Sequence, residues 1–169
     1  QMTANGTTGY LYSVMYYDDR GRLIQTKSNN HLGGVEEEYM AYNFTGQPVK
    51  KLHIHTGKNN APATKKQEEY AYSYDHAGRL LKTTHKLNNG TESILAENEY
   101  DELGRLKNVK RANNNQLKTE YAYNIRSWTK SISSPLFNQT LYYNESTGSN
   151  KPQYGGNISA MEWNLSGED

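Results

Sequence analysis

A seven-residue word, Tyr-Asp-x-x-Gly-Arg-Leu, stands three times in this chain, as Tyr17-Asp18-Asp19-Arg20-Gly21-Arg22-Leu23, Tyr74-Asp75-His76-Ala77-Gly78-Arg79-Leu80 and Tyr100-Asp101-Glu102-Leu103-Gly104-Arg105-Leu106. Recurrence of this kind points to a repeat architecture, in which each unit packs mainly on its neighbours. Looser copies fall between and after these: Tyr42-Asn43-Phe44-Thr45-Gly46-Gln47-Pro48, Tyr123-Asn124-Ile125-Arg126-Ser127-Trp128 and Tyr143-Asn144-Glu145-Ser146-Thr147-Gly148. Repeats therefore begin near positions 17, 42, 74, 100, 123 and 143. Intervals of roughly 20 to 30 residues suit one strand pair per repeat.

The word has a mechanical meaning. Asp or Asn at its second position accepts hydrogen bonds from backbone N–H groups two residues on and so starts a tight turn. Gly at the fifth position supplies the positive φ that closes a type I turn with a G1 bulge. Ser127 replaces that Gly in the fifth copy, which must then turn differently or carry strain. Before the turns the pattern alternates: Tyr70, Tyr72 and Tyr74, separated by Ala71 and Ser73, put three rings on one face of a strand. After the turns, Leu106 and Val109 stand three apart and cannot share a face of a regular strand, which implies a bulge or a sheet buried on both sides. Each repeat reads as a β-hairpin, and the chain 1–169 as one all-β array of antiparallel hairpins in a curved, twisted sheet. Polar clusters at Ser28–Gly34, Gly57–Ala63, Leu87–Gly90 and Ala112–Gln116 are expected to link one hairpin to the next, and Thr147–Pro152 to form a long loop.

These words carry a specific resemblance. The chain is similar, from about Tyr10 to Tyr143, to the YD-repeat or Rhs-repeat family, which includes bacterial Rhs and wall-associated proteins, the C subunits of Tc toxins, and teneurins. The segment around Leu141-Tyr142-Tyr143-Asn144 and Gln153–Trp163 resembles a stretch of Bacteroidetes Rhs proteins. The resemblance implies that the hairpins join edge to edge into a long sheet forming part of a hollow shell, which in the bacterial toxins encloses a C-terminal toxic polypeptide. It also implies a secreted or cell-surface bacterial location, and a chain that is a fragment of a longer protein. Many bacterial Rhs shells end in an Asp-Pro-rich self-cleaving motif. Asp-Pro does not occur here, where the prolines follow Gln47, Ala61, Ser134 and Lys151, so that motif and any toxin are expected outside this sequence.

A mean hydropathy of −1.02 would ordinarily argue for weak burial. Fifteen tyrosines against two Phe and two Trp change that expectation. A Tyr ring buries a large apolar area while its hydroxyl keeps a polar partner, so tyrosine ladders and Tyr–Arg contacts can hold a thin sheet that is wet on at least one side. With 19 basic and 18 acidic residues interspersed, nothing marks a nucleic-acid surface, and no apolar run is long enough for a membrane span. The absence of cysteine removes disulfides, thiol catalysis and zinc ribbons.

No constellation announces catalysis, and the chain reads as non-enzymatic, without a cofactor. His53 and His55 share one strand face and form half of a metal site at most, so no metal is assigned. Glu36-Glu37-Glu38 and Glu68-Glu69 read as an exposed face that discourages edge aggregation. Asp18, Asp75 and Asp101 read as turn formers rather than calcium ligands, and Arg22, Arg79 and Arg105 as covers for tyrosine rings or partners of acids on a neighbouring strand. The repeat-motif residues are thus Tyr17, Asp18, Gly21, Arg22, Leu23, Tyr42, Asn43, Gly46, Tyr74, Asp75, Gly78, Arg79, Leu80, Tyr100, Asp101, Gly104, Arg105, Leu106, Tyr123 and Asn124. The leading function is a wall segment whose partners are the remainder of the parent polypeptide or its toxin cargo. The alternative is a surface module binding a carbohydrate or a partner through Tyr70, Tyr72, Trp128 and Trp163. An uncovered sheet edge is a pairing hazard, so an edge-mediated homo-oligomer or marginal solubility is also expected.

Overall fold

The computed structural model describes residues 2–4, 7–57 and 64–165. Every regular element in it is a strand: β1 (Met2–Ala4), β2 (Thr7–Gly9), β3 (Ser13–Tyr17), β4 (Leu23–Asn29), β5 (Val35–Tyr42), β6 (Pro48–Gly57), β7 (Thr64–Tyr74), β8 (Leu80–Leu87), β9 (Ser93–Tyr100), β10 (Leu106–Arg111), β11 (Asn114–Tyr123), β12 (Thr129–Ser133), β13 (Phe137–Tyr142) and β14 (Ala160–Leu165). No described helix is long and apolar enough to cross a membrane. The chain divides into two compact units, Gln1–Ser93 and Ile94–Asp169. In the first, β3 to β8 pair antiparallel in sequence order, and β1 and β2 form a separate two-stranded ribbon. In the second, β9 to β14 do the same. The all-β hairpin array is as the repeats require.

The words lie at the turns of the hairpins. Numbering from Tyr as position 1, in the first five words the position-5 N–H donates to the position-2 carbonyl, as Gly21 N to Asp18 O at 3.0 Å, and the position-2 N–H to the position-6 carbonyl, as Asp18 N to Arg22 O at 2.9 Å, whereas in the sixth the position-5 N–H of Thr147 goes to Asn150 Oδ1. Gly21, Gly46, Gly78 and Gly104 take φ of +73°, +89°, +78° and +82°. This is the type I turn with a G1 bulge. Ser127 makes the same turn, with the same pair of hydrogen bonds at 3.0 Å each, and is held at φ +62°. Of the two outcomes open to the fifth copy, it carries strain.

A second bulge lies just beyond each turn. Position 1 pairs with position 7 in five hairpins, Tyr17 with Leu23, Tyr42 with Pro48, Tyr74 with Leu80, Tyr100 with Leu106 and Tyr123 with Thr129, and the ladder then skips one residue on the outgoing strand. The skipped residues are Ile24, Val49, Leu81, Lys107 and Lys130. Lys107 resolves the Leu106 and Val109 spacing in favour of a bulge. At the other end of the hairpins, the connections at 30–34 and 112–113 are shorter than the polar clusters suggested, and that at 88–92 runs two residues past Gly90. Ala112 and Asn113, at φ +49° and +50°, form a two-residue turn of type I′ form between Arg111 and Asn114, so Asn114, Asn115 and Gln116 belong to β11. Residues 58–63 of the expected Gly57–Ala63 linker lie outside the described residues. The loop foreseen at Thr147–Pro152 belongs to the longer connection 143–159.

The hydrophobic interior is thin. Among the described residues, the buried apolar side chains are Ile54, Val109, Leu141 and Tyr143, joined by Thr84 and Asn108, and no large side chain is fully buried. Asn108 donates to Glu99 Oε2 at 2.7 Å, which satisfies its amide. With so little apolar burial, polar contacts between repeats take on much of the ordering.

Candidate functional site

Each turn is wired by its own carboxylate or amide. Asp18 Oδ1 accepts from the backbone N–H of Arg20 and of Arg22, both at 2.9 Å, while Oδ2 takes the Arg22 Nε–H at 2.7 Å. Asp75 repeats this with Ala77 and Arg79, and Asp101 with Leu103 and Arg105. The backbone N–H of Arg22 is the main cause holding Asp18 below the usual carboxylate range, and Arg79 acts likewise on Asp75. At Asp101 burial works the other way, but the Arg105 N–H and guanidinium prevail and the carboxyl is again lowered. Each of the three arginines therefore pairs with the acid of its own turn. In the second word Asn43 and Gln47 replace Asp and Arg. Asn43 Oδ1 still accepts the position-6 N–H at 2.9 Å, and Asn43 Nδ2 donates to Gln47 Oε1 at 3.0 Å.

The rest of the position-6 side chain and the position-1 tyrosine reach across to the adjacent repeat. The Arg22 guanidinium lies 5.0 Å from the Tyr42 ring centroid and donates from Nη1 to the Asn43 carbonyl at 3.2 Å. Arg105 does the same to Tyr123, at 4.7 Å, and to Asn124 O at 3.3 Å. Trp128 at position 6 of the fifth word instead packs on the Tyr143 ring at 5.0 Å. Gln47 donates to Gly78 O at 2.7 Å.

The tyrosine hydroxyls complete the join. Tyr42 donates to Leu23 O at 2.9 Å, Tyr74 to Pro48 O at 2.8 Å, Tyr123 to Leu106 O at 2.8 Å and Tyr143 to Thr129 O at 2.7 Å. All four acceptors are position-7 carbonyls of the preceding word. The bulge explains them: the ladder toward the next hairpin starts only at Gln25, Lys50, Asn108 and Ser131, two residues further on. A backbone carbonyl left outside the ladder in a partly buried place needs a donor, and the tyrosine hydroxyl provides it. Burial raises the Tyr74 and Tyr123 hydroxyls above the ordinary tyrosine value. Phenylalanine would fill the same space and lack the bond.

His53 and His55 share a face of β6, and Glu36 of β5 bridges them, 3.0 Å from His53 Nε2 and hydrogen-bonded to His55 Nδ1. Glu68 of β7 lies 3.4 Å from His53 Nδ1, and Asn30 Nδ2 donates to Glu36 Oε1 at 2.8 Å. Burial would raise the Glu36 carboxyl, but Asn30, His55 and His53 together lower it. The acids are cross-strand partners rather than a bare exposed face, since Glu37 also pairs with Lys27 at 2.8 Å and Glu38 with Lys51 at 2.9 Å. Among the described residues no group of three or more His, Cys, Asp and Glu is placed to hold a metal ion.

Of the aromatics singled out for ligand contact, Tyr70 packs on His85 at 4.7 Å and is half-buried, as is Tyr72. Trp128 is half-buried between the contacts of Tyr143 and Arg126, the latter 5.2 Å from its ring. Trp163 on β14 is 59% exposed. Tyr70 and Tyr72 stand on one strand, β7, in the first unit, and Trp128 and Trp163 belong to the second. An open groove of about 740 Å³ runs between the second and third turns, lined by Phe44, Thr45, Gln47, Tyr74, His76 and Gly78 among others. The residues that sequence reasoning missed as functional are the position-7 carbonyls and the bulged residues after them, whose signal is the tyrosine recurring in a chain nearly without phenylalanine.

No family model and no curated protein matches this chain. Among solved structures, the chain is similar to the TcdB2-TccC3-Cdc42 crystal structure, with a TM-score of 0.41 and 13% identity over 79% of this chain and 10% of that one. It is also similar to a Photorhabdus luminescens Tc holotoxin pore bearing a substitution in TccC3, with a TM-score of 0.46 and 15% identity over 90% of this chain and 9% of that one. The chain thus spans about a tenth of the length of each.

Proposed function

We propose that this chain is a non-enzymatic wall segment of an Rhs-type shell, which encloses or displays a polypeptide such as a C-terminal toxin. The observation that carries this reading is the recurring joint between repeats: a tyrosine hydroxyl on a position-7 carbonyl beside a position-6 side chain laid on the same ring. A joint that depends only on the nearest neighbour lets a sheet extend strand by strand without a thick core, as an enclosing wall requires. The word-level resemblance supports the same assignment and, with it, a secreted or cell-surface bacterial parent.

The test is limited proteolysis of the full parent polypeptide. A segment enclosed by the wall survives protease while the native shell is intact, and becomes cleavable in a Tyr74→Ala, Tyr123→Ala variant that opens two joints. Equal cleavage of every other segment in both proteins would overturn the proposal.

A further inference from the structure

Among the described residues, sulfur stands beside a joint at one place. Met40 lies two residues before Tyr42 on β5, and the Tyr42 hydroxyl is 3.6 Å from Met40 Sδ while it donates to Leu23 O at 2.9 Å. A phenol has one hydrogen to give. The thioether is a weak acceptor, so the carbonyl holds it. The first word repeats the pair without the joint: the Tyr17 hydroxyl lies 3.4 Å from Met15 Sδ and has no other partner among the described residues. Before the remaining joint tyrosines, Tyr74, Tyr123 and Tyr143, the corresponding places are filled by Tyr72, Tyr121 and Leu141, which carry no sulfur. Met161, on β14 of the second unit, accepts instead from Gln139 Nε2 at 2.7 Å.

Oxidation to the sulfoxide reverses the order of the two acceptors. It turns a flexible apolar side chain into a polar one whose oxygen is a strong acceptor, and the change is reversible by sulfoxide reductases. An oxygen bonded to Met40 Sδ and turned toward the phenol comes within hydrogen-bond reach of the Tyr42 hydroxyl. Met40 is half-buried rather than enclosed, so an oxidant little larger than water has access to its sulfur. The Leu23 carbonyl, outside the ladder at its bulge, has no second donor among the described residues to replace Tyr42.

We propose that Met40 is an oxidation site that controls the joint between the first two words, with a peroxide as the co-reactant. A lone pair on Sδ attacks one peroxide oxygen, and the S–O bond forms as the O–O bond breaks. The departing hydroxide takes the proton left on the transferred oxygen and leaves as water, so sulfur is oxidised by two electrons and the peroxide reduced by two. The Tyr42 hydroxyl then donates to the sulfoxide oxygen, the Leu23 carbonyl loses its donor, and β4 and β5 part more readily next to the turns. The device concerns the joint alone and holds whether or not the parent encloses a polypeptide.

The experiment treats the chain with hydrogen peroxide, follows each methionine by peptide mapping, and reads native-state hydrogen exchange before and after. The expected result is that exchange in β4 and β5 quickens about fivefold as Met40 becomes the sulfoxide, the factor that one net hydrogen bond supplies, and returns to its first value after treatment with the two sulfoxide reductases. Met40→Leu keeps the packing volume and every other methionine, and peroxide should leave its β4 and β5 exchange unchanged. Tyr42→Phe separates the phenol from the mere presence of a polar group: having no hydroxyl to divert, it should lose little more when Met40 is oxidised. Unchanged exchange with Met40 fully converted would overturn the proposal, as would an equal loss in Met40→Leu. A further fivefold loss in oxidised Tyr42→Phe would assign the effect to polarity alone and also overturn it, and so would Met40 resisting peroxide that converts Met15 completely. None of these outcomes bears on the protease test, so the failure of one reading is distinct from that of the other.

Discussion

Replacing Tyr123 by Phe tests the joint between repeats with a single oxygen atom. The ring stays under Arg105 and the packing is unchanged, but the Leu106 carbonyl loses its donor at 2.8 Å. A hydrogen bond of this kind contributes about 1 kcal/mol net, and a stranded carbonyl in a fully dry site would cost up to about 3 kcal/mol. Tyr123 is half-buried, so water can reach the vacated place and the lower figure applies. For a chain of this size about 1 kcal/mol lowers the melting temperature by roughly 2–4 °C. Because repeat arrays can lose cooperativity, the global measurement is paired with native-state hydrogen exchange. Protection should fall in β10, β11 and β12 and stay as it was in β4, β5 and β6. Tyr121→Phe, two residues back on the same strand, leaves the joint intact and is the control. Equal losses in the two variants, or a loss below about 0.3 kcal/mol in Tyr123→Phe, would refute the account of the joint.

Gly21→Ala should cost about 1 kcal/mol in a urea titration, because the added Cβ meets nothing within 4 Å and the whole penalty is that of φ +73°. Ser127→Gly should shift the midpoint the opposite way, by up to about 1 kcal/mol less the Arg105 Nη1 contact to Ser127 Oγ at 3.3 Å, and a shift in the same direction would contradict the strain argument. Gly34→Ala drives a Cβ into the Thr56 carbonyl oxygen, which already accepts from Asn30 at 3.0 Å, so a loss of about 3 kcal/mol or more is expected, read as collapse of exchange protection in β5 and β6. Asp18, Asp75 and Asp101 are lowered in the folded chain from the ordinary 3.8, so the stability they contribute is present above that value and is lost as pH falls through their depressed range. Urea midpoints should therefore hold steady from neutral pH down to about 4.5 and drop below about 4, and a midpoint that rises on acidification would contradict the assignment.

The turn, the hairpin and the alternation before it are local properties, and all were legible in the word itself. Asp18 acts on Arg20 and Arg22 within its own turn, and Gly21 needs only its own φ. What lay out of reach depends on register between strands. The Tyr42 hydroxyl finds Leu23 across nineteen residues, and no spacing along the chain names that acceptor. Arg22 offered a choice between an acid and a ring; the structure uses both, with the acid drawn from its own turn because the G1 bulge folds position 6 back over position 2. His53 and His55 were placed on one face by alternation alone. Their bridge to Glu36 required the β5–β6 register, which the Val49 bulge shifts by one residue. The Ala112-Asn113 turn was hidden for another reason: alanine at positive φ is disfavoured, so sequence chemistry argued for a longer loop.

The departures from the word show what each position must supply. In the first five words position 2 offers an oxygen to the backbone of position 6, whether from Asp18, Asn43 or Asn124, so that requirement belongs to the turn. Charge at position 2 tracks position 6: Asp stands with Arg three times, Asn43 with Gln47, and Asn124 with Trp128. A lone carboxylate would lack its guanidinium in the last two, whereas an amide can donate to Gln47 or stand neutral beside an indole. Position 6 in turn decides what the next repeat feels, a guanidinium over Tyr42 and Tyr123 or an indole on Tyr143. Position 1 tolerates none of this variation, because only a phenol both accepts a flat cover and donates to the carbonyl that the bulge expels. The side chain of the tyrosine is thus the one part of the word whose function lies in the neighbouring repeat, which accounts for tyrosine, never phenylalanine, at position 1 of all six words.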